Sequence, residues 1–549
     1  MNIPQLQIVN AEGLPPDIRD IWNDLYYTWN SKLERNILRT EYYNGQNKLK
    51  NLKIAIPPSL ENIEEVVGWP QKAVDALANR IVFDGFVTTG TDRDPFGLDA
   101  ILDENDFTVE LPQAIRSALM HSCSFMYTRD GNADEGEPKV VISFRSAMYA
   151  SGIWDYSHRR LKSAMIIQDV MKPDSMSESP LIPTDVMIYV PGRTIRILRN
   201  DNGTYTPHIS GYTEGDWFSD HIPVYPLTYH RDLDRPFGRS RISRAVMSIT
   251  DAAMRTMLRM EIGAEFYSSP RAALIGAEPP TDKNGKPLTG WDAAISHLIA
   301  IDRDENGDMP TLQQLSQMSM QPHSEMLRTL AARMSGETGI PMAQFGVMTD
   351  SGPSSADAIA AGESDLCIEA ENTCQAMGTQ LRKLALDAVV LSGETPDESK
   401  AHALQVNWRN PERPSQAAVS DAVTKQIQVI PWLAESDVIL ERLGYTDSEI
   451  TRLMSAKRRS EANNTVRSLM SASTEANGDD QSGSRNTGRQ PTDGGKNGDT
   501  RNAVALADDT EPQSGMAAGS AAGRNPQTGG QVRKRRGGSR GRMVRGDTQ

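Results

Sequence analysis

Residues able to make and break bonds are present in this sequence, but rarely at the spacings that such chemistry needs. Its eight histidines, at positions 121, 158, 208, 221, 230, 297, 323 and 402, include no i, i+3 or i, i+4 pair, so no helix offers two imidazoles to one metal ion. Cys123, Cys367 and Cys374 form no Cys-x-x-Cys unit, which disfavours thiolate zinc and a disulfide framework and points to a reducing compartment. Cys367 and Cys374 would share a helical face yet lie about 10 Å apart along it, too far to bridge. They read as small core residues, with an intersubunit or redox role as the sharper alternative. Asp302, Asp304, Glu305 and Asp308 resemble a loose calcium loop, but the downstream glutamate is missing and a solvated turn is the simpler reading. The sequence has no Gly-x-x-x-x-Gly-Lys-Ser/Thr cradle, no Gly-x-Gly-x-x-Gly unit opening a helix and no His-Glu-x-x-His. The expectation is therefore a protein that is not an enzyme, with no metal and no cofactor.

One chemistry is well supplied. Arg533, Lys534, Arg535, Arg536, Arg540, Arg542 and Arg545 crowd the end of the chain against Asp547 alone. They suit phosphate neutralisation, while the lack of interleaved aromatics argues against base stacking. A plain solubilising or cleaved terminus is the competing reading. The whole chain of 549 residues carries a formal charge of −14, so the part before this segment carries about −20. Such a body is unlike a protein that binds nucleic acid over its whole surface.

The elements that must position any site are legible in outline. With 38% hydrophobic and 24% charged residues, the chain has the means for a sizeable core and two to four domains. It opens without the basic start and apolar run of a secretory signal, and no run of about 18 apolar residues suits a membrane span. Residues 1 to about 120 read as mainly helical, with Glu61 to Phe83 patterned as one amphipathic helix. Strand-like segments follow at Ser124–Arg129, Lys139–Phe144, Leu161–Val170, Asp185–Val190 and Thr194–Leu198, with a tight hairpin at Asn202-Gly203, and predict an antiparallel, wrapped sheet. After the Pro-rich HIPVYPL, Ser240 is the expected cap of a helix to about Tyr267, with Ile242, Val246, Ile249, Ala253, Met257 and Met260 on one stripe. A loop-rich excursion leads to a second helix from Gln321 to about Gly336, which Gly339-Ile340-Pro341 ends.

Phe345–Ser355 is loop chemistry, and Ser354 with Asp357 fits a capping box opening a helix from Ala356 to Leu391. That helix would reach roughly 54 Å, with Gly362 and Gly378 as possible bends. Three shorter helices start near Ser415, Ser436 and Thr446, the last with Thr446 and Glu449 at capping-box spacing. From about Glu461 the composition of Gly, Ser, Asn, Asp, Ala and Arg predicts disorder.

Several segments, taken in order, resemble the portal proteins of tailed double-stranded-DNA bacteriophages with long non-contractile tails. They are Tyr42–Asn51 (YYNGQNKLKN), Trp69–Phe86, His221–Glu278 and Thr338–Leu366 (TGIPMAQFGVMTDSGPSSADAIAAGESDL), the last being the most specific. The resemblance implies an α+β, portal-type fold assembled in a ring of about twelve subunits at one capsid vertex. Carried onto this sequence it gives a wing at 1–235 with 396–410, stem helices at 236–267 and 318–338, and a clip at 268–317. A channel loop at 339–355, a long wing helix at 356–395, a helical crown at 411–460 and a tail at 461–549 complete it. The bottom-up reading agrees: two rods flanking an excursion, followed by one overlong helix, bury poorly alone and well between neighbours in a ring.

The resemblance further implies passage of double-stranded DNA through the ring in packaging and ejection. Val347, Met348, Thr349, Asp350, Ser351 and Gly352 are the expected DNA-facing loop. Implied partners are copies of the same chain, the terminase large subunit, major capsid and scaffold proteins and a head-tail adaptor, with no membrane. The implied location is the virion, after assembly in the host cytoplasm. Two alternatives are a DNA-binding or scaffold-like assembly protein acting through the Arg-rich tail, and a hydrolase or nuclease using dispersed carboxylates such as Asp302, Asp304 and Glu363.

Overall fold

The computed structural model describes residues 14–48, 65–88, 94, 96–172, 181–213, 215–267, 272–275, 311–314, 319–347, 356–412, 416–445 and 447–476. The chain divides into two units, Met1–Ser460 and Glu461–Gln549. The first mixes helix and sheet.

Helix α1 (Pro16–Tyr43) starts on a proline whose missing N–H is no loss in a first turn. Ile18, Trp22, Leu25, Trp29 and Leu33 recur at helical spacing and are buried against a sheet, where Trp29 Nε1 donates to Met148 O at 2.9 Å and Ser151 Oγ donates to Leu25 O at 3.0 Å. Helix α2 (Trp69–Ala78) is much shorter than the Glu61–Phe83 pattern suggests. The helix stops at Asn79, and Phe83 instead begins strand β1 (Phe83–Val87). Its partner is β12 (Gln405–Trp408), more than 300 positions away, and this distant pairing overrides the local period. Helices α3 (Leu98–Glu104) and α4 (Phe107–His121) follow.

The expected single sheet is two. In one, β3 (Val140–Ser146), β2 (Cys123–Asp130) and β9 (Val224–Thr228) lie in that order; in the other, β4 (Ala150–Asp155), β5 (Arg160–Met171), β6 (Ile182–Val190), β7 (Arg193–Arg199) and β8 (Tyr205–Gly211) do. All their pairings are antiparallel, and the Asn202-Gly203 turn joins β7 to β8. Phe125 and Tyr127 from the first sheet meet Ala164, Ile166, Met187 and Tyr189 from the second, which closes a separate apolar cluster. Strand β9 begins within HIPVYPL, all five of its residues buried; its proline at Pro226 faces Phe125 in the register with β2. As an outer strand of its sheet, β9 can carry a residue that donates no ladder bond.

Helix α5 (Arg244–Tyr267) is capped by Ser243, whose Oγ accepts from Val246 N at 3.2 Å. Ser240 is not the cap: its hydroxyl donates to Met120 O at 2.5 Å and accepts from Ile242 N at 3.0 Å, fastening the approach to the helix onto α4. Of the predicted stripe, Ile242, Val246, Ile249 and Ala253 are buried, while Met257 and Met260 are half-buried, so the rod leaves the core as it advances. Strands β10 (Ala272–Ile275) and β11 (Thr311–Gln314) pair antiparallel. Helix α6 (Gln321–Thr338) then packs on α5. Ser243 Oγ meets Glu337 Oε1 at 2.8 Å at one end and β10 pairs with β11 beyond the other, so the two rods run antiparallel.

Gly339, at φ 66°, ends α6 as an αL cap. After a turn of 3-10 helix at Met342–Phe345, helix α7 (Ala356–Leu391) runs unbroken for 36 residues. A Cβ at Gly378 would sit 3.2 Å from Trp408 Nε1, so the glycine lets β12 approach. Helices α8 (Glu398–Ala403), α9 (Gln416–Val429), α10 (Asp437–Arg442) and α11 (Asp447–Ala476) complete the described chain. The last is not short, and Glu461–Ala476 is helical rather than disordered: no Gly or Pro interrupts the stretch before Gly478, although its composition leaves little to bury. Those turns are the described part of the second unit.

Candidate functional site

Of the expected DNA-facing loop, Val347 is described and packs half-buried against the main core. Met348, Thr349, Asp350, Ser351 and Gly352 lie outside the described residues, as do Arg533, Lys534, Arg535, Arg536, Arg540, Arg542 and Arg545, the calcium-like run at Asp302 to Asp308, and the Ser354 and Thr446 caps. What the structure builds is the base from which the loop springs.

Its leading edge is the turn at Phe345. The phenyl ring is buried edge-on against Trp69 with centroids 5.7 Å apart, and Trp69 Nε1 donates to Phe345 O at 3.2 Å. Its trailing edge is the first part of α7. Gln344 Nε2 donates to Glu363 Oε1 at 3.0 Å, and Arg80, just beyond α2, pairs with Glu363 Oε2 at 2.5 Å. Arg80 also donates to Pro411 O at 2.9 Å and to Cys367 Sγ at 3.3 Å. Both ends of the loop are thereby tied to α2 and its exit. Glu363, a candidate carboxylate of a nuclease, is held in this structural pair, and among the described residues no three His, Cys, Asp or Glu side chains gather as a metal site.

Beneath this base lies Arg241, buried with 6% of its surface exposed. Its Nε donates to Ala73 O at 2.5 Å, one terminal nitrogen donates to Thr338 O at 2.6 Å, and the other donates to Tyr229 Oη at 3.0 Å and to the Glu369 carboxylate. The Tyr229 hydroxyl donates to the same carboxylate. One side chain thus joins α2, the last turn of α6, α7 and the strand β9 exit. Burial, offset in part by Arg241 and reinforced by Glu369, pushes the Tyr229 phenol well above its usual value, so it stays a neutral donor.

Farther along α7, Asp387 is 1% exposed and accepts from Tyr225 Oη at 2.7 Å, Trp217 Nε1 at 2.8 Å and His221 Nε2 at 3.3 Å. Burial alone would lower the His221 pKa; the hydrogen bond and charge of Asp387, then those of Asp220, outweigh it and raise the pKa. These contacts clamp α7 onto the sheet residues around β9.

Neither Arg241 nor Glu369 stands out in the sequence, because their partners are 128 positions apart and no local pattern links them. Asp387 has a signal, as the lone charge inside the apolar run LALDAVVL: a carboxylate there must find donors. The stretch of α7 from Ala356 to Leu381 holds Asp357, Glu363, Asp365, Glu369 and Glu371 with no Lys or Arg, and Asp365 and Glu371 are exposed.

Residues 23–450 match the family described as phage portal protein, SPP1 Gp6-like. The portal protein of Mycobacterium phage D29 is 25% identical over 428 residues, covering 75% of this chain and 82% of the relative. That of Mycobacterium phage L5 is 25% identical over 403 residues, covering 70% and 77%. Among solved structures, the neck of a native GTA particle computed with C12 symmetry is similar with a TM-score of 0.36 and 11% identity, covering 66% of this chain and 85% of that one. The neck of an empty GTA particle computed with C6 symmetry gives 0.37 and 10%, covering 72% and 89%.

Proposed function

The chain belongs to the SPP1 Gp6-like family of phage portal proteins, and from that premise we propose that copies of it close into a ring of about twelve whose bore carries double-stranded DNA into and out of one capsid vertex. The observation that carries this reading is the arrangement of α5, the β10–β11 pair, α6 and α7: an antiparallel pair of rods with the β10–β11 pair beyond one end, then the Gln344–Glu363 contact across the start of a single 36-residue helix. In these terms α5 and α6 are the stem, 268–317 the clip, 339–355 the channel loop, 411–460 the crown, and 1–235 with 396–410 the wing.

Duplex DNA presents a charge about every 1.7 Å, so a cationic bore would hold it by counterion release and stall it. An acidic or neutral wall lets it slide. The exposed Asp365 and Glu371 of α7 and the charge of −14 on the whole chain support that property, although screening confines repulsion to about 8–10 Å at physiological salt. The Trp69–Phe345 and Arg80–Glu363 contacts hold the segments on either side of the proposed loop. Without a nucleotide-binding motif the chain is the passage and a separate terminase the engine, docking on the clip before a head-tail adaptor replaces it. Wing residues would face capsid and scaffold proteins, and the Arg-rich tail would face packaged phosphates.

Negative-stain imaging of the purified chain tests the assembly: annular particles with a central hole are expected, and solitary compact particles would overturn it. Deleting Val347–Gly352 tests the loop, with intact rings that fail to package DNA as the expected result and normal packaging as the refuting one.

A further inference from the structure

At the outer edge of β9 lies a cavity of about 220 Å³, walled by Leu161, Ile222, Val224, Tyr225, Pro226 and Leu386. Its volume is below the range of small-ligand sites, about 300–1,000 Å³, and suits one inserted side chain. Trp217, 42% exposed, and the exposed Lys383 also line it, so it opens to solvent. Asp387, in the same wall, is already taken up by Tyr225, Trp217 and His221.

Cations crowd this opening on a chain whose formal charge is −14. Arg160 lines it beside Lys383. Burial first, and then the charges of Arg231, Arg160 and Arg382, lower the Lys383 pKa, with Asp387 as a smaller opposing charge. Burial and the charge of Arg159 lower that of Arg231 in the same way. Arg160 has an ion pair with Asp220 at 3.3 Å, and Arg231 lies over the Trp154 ring, 4.4 Å from its centroid. Arg159, Arg382 and Lys383 make no ion pair among the described residues. An apolar hole with such a rim fits an apolar side chain carried among carboxylates.

The chain itself displays such a group at the opposite edge of the same sheet, whose two outer strands are β3 and β9. Asn105, between α3 and α4, clasps the outer edge of β3: its Nδ2 donates to Val140 O at 2.9 Å and its Oδ1 accepts from Ile142 N at 2.8 Å. Beside it Asp103, Glu104, Asp106 and Glu110 are exposed, and Val109 is 60% exposed next to Glu110. No Lys or Arg occurs between Asp94 and Ile115 to neutralise them. Complementary patches at two different edges of one subunit make a head-to-tail contact, the kind that closes into rings.

We propose that neighbouring copies of the chain meet here: Val109 of one enters the β9-edge cavity of the next, and Asp103, Glu104, Asp106 and Glu110 face the cations Arg159, Arg160, Arg231, Arg382 and Lys383 around it. The inference rests on the ring reading and names the surfaces that close the ring.

The test uses the full-length chain, with assembly followed by negative-stain imaging and sedimentation velocity. Glu104→Lys with Glu110→Lys reverses the acidic side, and Arg382→Glu with Lys383→Glu reverses the basic side. Like charges facing each other across an interface repel, so each double variant alone should form rings at no more than about a tenth of the wild-type level. An equimolar mixture of the two should assemble, because in alternating order every junction pairs opposite charges; recovery also shows that both variants fold. Val109→Asn, which leaves the charge unchanged, should weaken assembly about tenfold through loss of the apolar insertion. Asp24→Lys with Glu34→Lys, the same charge change on the exposed face of α1, should leave rings as they are. Wild-type rings accompanied by equal rings from both reversed variants would overturn the contact, leave the ring reading standing and free the cavity for an acidic segment of another protein. Reversed variants that stay apart when mixed would overturn the contact as well. Solitary wild-type particles would overturn the ring reading and this contact together.

Discussion

The Arg241 guanidinium and the Glu369 carboxylate form an ion pair at the point where α2, α6 and α7 converge, with the arginine 4% and the glutamate 28% exposed. Its value lies less in net attraction than in the geometry it specifies: a guanidinium that also spans Ala73 O, Thr338 O and Tyr229 Oη fits only one mutual placement of these elements.

Arg241→Leu removes all these donors and leaves a partly buried carboxylate and two carbonyls without them. A loss of roughly 3–5 kcal/mol in unfolding free energy is expected by chemical denaturation. Arg241→Lys keeps the charge but lacks the planar fork, so it should recover less than half of the loss. If Arg241→Leu costs under about 1 kcal/mol, the hub is not structural.

Gly238→Ala probes the backbone that presents Tyr229 to this hub. The glycine has φ 69°, and a Cβ there would lie 2.0 Å from Tyr229 O, backbone against backbone. The strain of the left-handed conformation and the displaced strand exit together should cost roughly 2–4 kcal/mol. Because Arg239 N donates to Tyr229 O at 2.9 Å, the displacement reaches the hub, and a double variant with Arg241→Leu should lose less than the sum of the two.

How far this junction can be read in the sequence depends on how local its causes are. The bounds of α7 follow from helical spacing up to a Gly-marked end, and β5, β6 and β7 of the five-stranded sheet follow from their strand-like runs, whereas β4 carries no such signal. Helix α2 ends early because Phe83 pairs with Trp408, and Ser240 yields the cap to Ser243 because its hydroxyl is needed at Met120 O. In both cases a partner over 100 positions away decides, which no local window contains.

Buried His121 and half-buried His221 give pH dependences of opposite sign. His121 is held neutral mainly by burial and secondarily by Arg39, which lower its pKa to about 4. A depressed histidine is a liability in acid: between its unfolded value near 6.5 and about 4 the unfolded chain binds the extra proton, so stability falls with pH, approaching roughly 3 kcal/mol below pH 4. His121→Gln should flatten this limb relative to wild type. His221 has a raised pKa, so its contribution is complete below about 6.5 and lost as pH rises through the folded value. His221→Gln should remove that decline on the neutral side. Identical pH profiles for wild type and both variants would show that neither group is linked to folding.

Truncation before Gln531 isolates the Arg-rich end from the rest of the chain. If all seven cations engage duplex phosphates, the slope of log affinity against log salt should fall in magnitude by about 6 per chain when they are removed, since each neutralised phosphate contributes about 0.9. The seven act as point charges without aromatic partners, so the loss should be uniform across DNA sequences. Ring formation should be unaffected, because the portal family match ends at residue 450, well before the truncation. An unchanged salt slope, or a loss confined to particular DNA sequences, would remove the tail from the DNA-binding account while leaving the proposed channel untouched.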